Sequence, residues 1–107
     1  MFGRTTILEI ATTKYETDKD LVFSAMDSLQ SLCGIKDGFL VSKPMERFGW
    51  SFFKVLIKYE LESAMQLKLE DQIQRSEGKK IEEKFVSFMT KLFENKNAKV
   101  KVKLMEG

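Results

Sequence analysis

The sequence predicts a single α+β domain of 107 residues, in which two helices cover one face of an antiparallel sheet. Several segments alternate apolar with polar residues, which is typical of strands with one buried face. Two other segments repeat apolar residues at spacings of three and four, which is typical of amphipathic helices. The clearest alternation starts at Phe53 and runs through Val55, Ile57, Tyr59 and Leu61.

The first strand is expected over residues 5–15, which are rich in β-branched side chains. A helix follows, with Thr17 as its cap and Asp20 three residues later as the acid of a capping box. Gly34 is expected just past its end. The strand has one face formed by Leu8, Ile10 and Thr12, and the helix has an apolar stripe formed by Leu21, Val22, Ala25, Met26, Leu29, Leu32 and Cys33.

A turn at residues 36–38 separates this helix from a short second strand over residues 39–42. Pro44 is the only proline of the chain. It indicates an edge strand or the end of a strand, because proline has no amide hydrogen to donate across a sheet. Residues 47–49 lead into the long alternating segment.

The alternating segment from Trp50 to Leu69 is compatible with three arrangements. It can form one unusually long strand, or two strands joined by a turn near residues 62–64. In the third arrangement the strand ends near Leu61 and a helix takes over, since Leu61, Met65, Leu69 and Ile73 are spaced four apart. An extra hairpin or helix over residues 62–76 is therefore an open expectation.

A second clear helix is predicted over residues 79–95, and a final strand over residues 98–105. The resulting order of elements is βαββαβ. This is the order of a ferredoxin-like antiparallel sheet, with two helices on one face and the opposite face free. The whole chain, residues 1–107, is expected to form this one domain.

Composition bounds the chemistry that this domain can perform. The chain has no histidine and a single cysteine, Cys33, so it has no internal disulfide and no Cys/His zinc site. We expect no metal, no cofactor and no catalytic activity. No apolar run approaches the roughly 20 residues of a membrane helix, and the start of the chain has a strand pattern rather than a signal peptide. A cytoplasmic protein that does not associate with membranes is therefore expected.

Lysines are concentrated at the end of the chain. Lys99, Lys101 and Lys103 project from one face of the last predicted strand, and Lys54 and Lys58 are expected to share that face. Lysines on an exposed edge strand keep sheets from pairing with one another. A flat array of ammonium groups also binds phosphates, so these five residues are candidate nucleic-acid contacts.

Residues 49–55, Gly-Trp-Ser-Phe-Phe-Lys-Val, resemble the aromatic central-strand motif of RNA-recognition domains. Phe48 stands where that motif has a basic residue, and the first strand carries no matching aromatic residue. The resemblance implies that Trp50 and Phe52 stack on bases at the open face of the sheet. Because Phe52 and Phe53 point to opposite faces, at least one of them belongs to the core.

Two functions are compatible with these features. The first is a protein–protein interaction or oligomerisation module, working as a homodimer or in a larger complex, with Trp50, Phe52 and Leu56 at the interface. The alternative is binding of single-stranded RNA or DNA by the lysines and aromatic residues together. Convergence of the lysines on Trp50 favours nucleic acid, whereas interruption of the lysines by Glu9 and Glu60 favours a protein interface.

Overall fold

A computed structural model describes residues 5–105 of the chain. These residues form a mixed α+β domain with a five-stranded antiparallel sheet and three helices. The elements in chain order are β1 (Thr6–Thr12), α1 (Tyr15–Leu32), β2 (Phe39–Val41), β3 (Met45–Arg47), β4 (Trp50–Ile57), α2 (Tyr59–Gln74), α3 (Ile81–Glu94) and β5 (Lys101–Met105).

The sheet has β4 and β1 at its centre. β1 pairs with β4 on one side and with β5 on the other, and all the pairings are antiparallel. β2 and β3 lie on the same side of β4, β2 along residues 55–57 and β3 along residues 50–52. The predicted order βαββαβ is therefore not matched exactly, since the described residues contain one strand and one helix more than expected.

The third arrangement that the alternating segment allowed is the one found. β4 ends at Ile57 and α2 begins at Tyr59. The four residues spaced four apart, from Leu61 to Ile73, are all buried, as one face of a helix requires. Leu67 continues the alternation of the strand but is 87% exposed, because residues two apart on a helix lie on roughly opposite sides and Leu67 is two residues from both Met65 and Leu69.

The start of α1 differs from the sequence prediction. The helix begins at Tyr15, so Thr17 lies inside its first turn and the predicted cap is wrong. The Thr12 hydroxyl instead donates to the Asp18 carboxylate at 2.5 Å and accepts from the Lys14 amide at 2.9 Å. The end of β1 thus holds the first turn of α1 through a buried hydrogen bond between two elements.

The core lies between one face of the sheet and the three helices. The strands contribute alternate residues to it, as their period of two predicts. α3 confirms the helix predicted over residues 79–95, and β5 confirms the final strand but begins three residues later than expected. The largest fully buried side chains include Leu8, Ile10, Phe53 and Ile57 of the sheet, and Val22, Met26, Leu61, Met65, Ile73, Phe85, Met89 and Phe93 of the helices.

Candidate protein interface on the open sheet face

The face of the sheet opposite the helices carries the remaining alternate residues of each strand, and we call it the open face. The antiparallel register fixes which of these residues are neighbours across the strands. Most of them fall into three rows that run perpendicular to the strands, and Arg47 and Trp50 form a further pair beyond the third row. The open face comprises Ile7, Glu9 and Ala11 of β1, Leu40 of β2, Met45 and Arg47 of β3, Trp50, Phe52, Lys54 and Leu56 of β4, and Lys101, Lys103 and Met105 of β5.

The first row is entirely apolar. Leu40, Leu56, Ile7 and Met105 are in register across four strands, and we call them the apolar row. Leu40 is 56% exposed, and the other three are half-buried by their neighbours in the sheet. Four adjacent apolar side chains thus form a continuous band at one end of the open face.

The second row is charged. Lys54, Glu9 and Lys103 are in register on β4, β1 and β5, and we call them the charged row. Glu9 is half-buried between two exposed lysines. Cross-strand neighbours of opposite charge stabilise an antiparallel pair modestly. The carboxylate therefore divides the lysines of the open face.

The third row combines apolar and aromatic residues with cations. Met45, Phe52, Ala11 and Lys101 are in register, and we call them the aromatic row. The Lys101 Nζ lies 4.9 Å from the centre of the ring of Trp50, the next open-face residue of β4. The Arg47 guanidinium lies 5.9 Å from the centre of the Phe52 ring. At these distances a cation is attracted to the face of an aromatic ring.

The edge of the open face between β3 and β4 is concave. A shallow concavity of about 490 Å³ is lined by Glu9, Met45, Arg47, Phe52 and Lys54, among others. Ser42 also lines it and is held to β4, because its amide donates to the Lys54 carbonyl at 2.8 Å and its hydroxyl accepts from the Lys54 amide at 2.8 Å. The concavity therefore has a mixed apolar and charged wall.

The structure brings some of the sequence-predicted site residues together and separates others. Trp50, Phe52 and Leu56 all lie on the open face, and so do Lys54, Lys101 and Lys103. Lys58 is instead the residue before α2, and Lys99 precedes β5, so neither belongs to a strand.

Sequence reasoning missed several residues of the open face. Met45 and Arg47 belong to β3, which is too short for a periodic pattern to reveal. Leu40 and Met105 lie on predicted strands, and only the register shows that they join Ile7 and Leu56 in one row. An alternating pattern gives the face of a residue but not its neighbours on other strands.

Cys33 is buried at the end of α1. Burial raises the pKa of its thiol, and the neighbouring Lys68 ammonium lowers this pKa to a smaller extent. Within residues 5–105, no group of three or more Cys, Asp and Glu side chains is arranged to hold a metal ion. In the same part of the chain, none of the helices combines the length and hydropathy that crossing a membrane requires.

Comparison of the chain with protein-family models, with curated proteins and with solved structures found no significant match.

Proposed function

We propose that this protein is an interaction module that self-associates through the open face of its sheet. The observation that carries the proposal is the apolar row, which brings together Leu40, Leu56, Ile7 and Met105 on the side of the sheet without helices. Removing a contiguous apolar band from water is favourable, and a second protein surface is the simplest cover for it. Phe52 and Trp50 extend the apolar area beyond the charged row.

We infer that the fold is a variant of the ferredoxin-like arrangement. β2 and β3 together occupy one side of β4, as a single strand would. α2 and α3 together connect β4 to β5, as a single helix would. With these two replacements the chain follows the order βαββαβ, which leaves one face of the sheet for contacts.

The charge distribution supports nucleic-acid binding less well. Glu9 lies in register between Lys54 and Lys103, so the lysines do not form an uninterrupted surface for phosphates. The Lys101 ammonium already lies near the Trp50 ring, where a stacked base would have to displace it. A protein partner, by contrast, can contact both the apolar and the charged rows of the open face.

A charge in the apolar row tests the proposal. We expect the wild-type protein to sediment as a dimer, and Leu56→Glu to raise the dimer dissociation constant at least about thirtyfold, because a lone carboxylate is costly to bury. Leu40→Glu should act in the same way with less effect on folding, since Leu40 is already 56% exposed. Sedimentation velocity over a range of concentrations measures the association, and circular dichroism checks the fold.

Leu67→Glu is the matched control, because Leu67 is 87% exposed on α2 and lies away from the open face. It should leave the dimer unchanged. A wild-type protein that stays monomeric would contradict the proposal, as would equal association of the Leu40 and Leu67 variants.

Nucleic-acid binding would show itself in a separate measurement. Fluorescence anisotropy of labelled single-stranded RNA and DNA at two salt concentrations should show no tight binding by the wild-type protein. Binding that weakens steeply with salt and disappears on changing Lys101 and Lys103 to Glu would favour the lysines as a phosphate surface and would contradict the proposal.

A further inference from the structure

We propose that two copies pack their open faces together about a two-fold axis that runs parallel to the strands, between β1 and β4. In this arrangement Lys54 of each copy contacts Glu9 of the partner subunit. The inference rests on the self-association proposed above and adds the orientation of the second copy. It follows from the pattern of charges and side-chain sizes that the register places on the open face.

The symmetry of a face-to-face dimer leaves two simple choices. The axis lies between the two sheets and runs either along the strands or across them. With an axis along the strands between β1 and β4, each row faces the same row of the second copy. The order of the strands along the facing row is reversed. β4 then faces β1 of the other copy, and the β2–β3 side faces β5.

The charged row favours the axis along the strands. Lys54 lies on β4 and Glu9 is its direct neighbour on β1, so reversing the row sets each lysine against a carboxylate. An axis across the strands along this row sets every strand against itself. Lys54 would then meet Lys54 of the partner subunit, and Glu9 would meet Glu9 of the partner subunit. Like charges set against each other in this way oppose association.

The other two rows fit the same orientation. In the apolar row, Leu56 would face Ile7 of the partner subunit, so apolar side chains would meet apolar side chains. In the aromatic row, Phe52 is the direct neighbour of Ala11 and would face Ala11 of the partner subunit. A large side chain against a small one allows two faces to interdigitate. The bulk of Phe52 is thus placed where the other copy has room.

The twist of the sheets limits how far the pairing extends. Stacked sheets cross at about 30° because each sheet is twisted, so residues far from the axis move out of register. Lys54 and Glu9 lie on the two central strands, next to the proposed axis and away from both ends of the open face. Their contact is therefore little affected by the twist.

Charge reversal gives a decisive test. Glu9→Lys leaves only lysines at both symmetric contacts, and Lys54→Glu leaves only carboxylates. Each variant alone should show a dimer dissociation constant raised at least about tenfold. When the two variants are mixed, each contact again joins a lysine and a glutamate. We expect a heterodimer with an affinity within about threefold of the wild-type dimer, measured by sedimentation and by native mass spectrometry.

Mixing separates contacts between copies from effects within one copy. Glu9 and Lys54 are neighbours in the same sheet, so each reversal also places like charges side by side in the monomer. Mixing cannot relieve that effect, and restored association therefore reports a contact between the two copies. Glu60→Lys and Lys91→Glu make the same net charge changes on helices α2 and α3. Mixing this control pair should not favour a heterodimer over the two homodimers.

The outcomes distinguish the two proposals. A wild-type monomer would overturn the self-association itself. A wild-type dimer that Leu56→Glu disrupts, combined with no preferential pairing of the Glu9 and Lys54 variants, would overturn only the orientation. Weakened association of each single variant, together with a heterodimer of about wild-type affinity, would support the axis along the strands. An axis across the strands already opposes like charges in the wild type, so it predicts single variants that are not weakened and a heterodimer tighter than the wild-type dimer.

Discussion

Phe48 adopts a left-handed backbone conformation that is unusual for a large side chain. It forms, with Gly49, the two-residue turn between β3 and β4, and both residues have positive φ, 54° and 81°. Such turns favour Asn-Gly, because a large L-residue is strained in the left-handed region. The Phe48 side chain is 94% exposed, so its packing within this copy offers little to offset the strain.

Replacing Phe48 by asparagine should therefore stabilise the protein. We expect Phe48→Asn to raise the free energy of unfolding by about 1 kcal/mol, since asparagine tolerates the left-handed conformation. Urea denaturation measures the difference. Phe48→Ala is the matched control, because it removes the ring but keeps a Cβ atom at a positive φ. An asparagine variant no more stable than the alanine variant would show that the turn is not strained.

The Phe-Gly turn also explains why part of the candidate site could not be predicted from the sequence. Trp50, Phe52 and Leu56 could be placed on one face, because β4 is eight residues long and alternates regularly. Met45 and Arg47 could not, because Phe48-Gly49 is only half of the usual turn signal and Pro44 suggested that a strand had ended. The hairpin depends on a conformation that the residue type disfavours.

At the scale of the elements, side chains that join one element to another decide where the helices begin. The Thr12 hydroxyl donates to the Asp18 carboxylate across the junction of β1 and α1, and both residues are buried. Thr12→Val keeps the shape of the side chain but removes the donor. The free energy of unfolding should fall by about 1–3 kcal/mol, because the carboxylate stays buried without that hydrogen bond.

Thermal denaturation at pH 7 followed by circular dichroism tests this expectation. The control is Thr13→Val, which makes the same change one residue later at an exposed position. Equal stability of the two variants would mean that the Thr12–Asp18 bond does not hold the junction. A larger loss for the Thr12 variant alone is the expected result.

The start of α3 makes stability depend on pH. The Glu83 carboxylate accepts hydrogen bonds from the amides of Lys79 and Lys80, each at 2.9 Å. The bond from Lys80, and then that from Lys79, lowers the pKa of Glu83 below its ordinary value of 4.5. A lowered pKa in the folded state adds stability above pH 4.5, and this stability is lost as the pH falls through the folded value.

Glu83→Gln should reduce this dependence. At neutral pH the variant should unfold at a lower urea concentration than the wild type, and the difference should shrink as the pH falls from 5 to 3. Glu82→Gln removes the same charge from the same turn and serves as the control. A pH profile of the Glu83 variant parallel to that of the wild type would contradict the assignment.

α2 shows what the sequence could predict at this scale and what it could not. The spacing of Leu61, Met65, Leu69 and Ile73 predicted a helix, while the alternation around it allowed a strand. The helix also contacts a residue that is distant from it in the sequence. The Thr6 hydroxyl donates to the Glu62 carboxylate at 2.8 Å, and both residues are buried where β1 meets α2. Local periodicity carries no information about such a partner.

For the whole molecule, the sequence correctly predicted the class of fold but not the number of its elements. Alternation and helical spacing were enough for an antiparallel sheet with helices on one side, because each pattern reports a buried face directly. The order of the strands, β2-β4-β1-β5 with β3 also on β4, depends on pairings between distant segments. The rows of the open face follow from these pairings, so the candidate interface emerged only with the structure.

The interruption between β2 and β3 has a consequence for how many copies can assemble. Ser42, Lys43 and Pro44 break this border of the sheet into two strands of three residues each. A growing fibre needs a long, unbroken border on which the next chain adds its backbone hydrogen bonds. This border offers only short stretches, whereas a pair of stacked faces is complete once two copies have met. Raising the protein concentration should therefore increase the fraction of dimer without producing polymers.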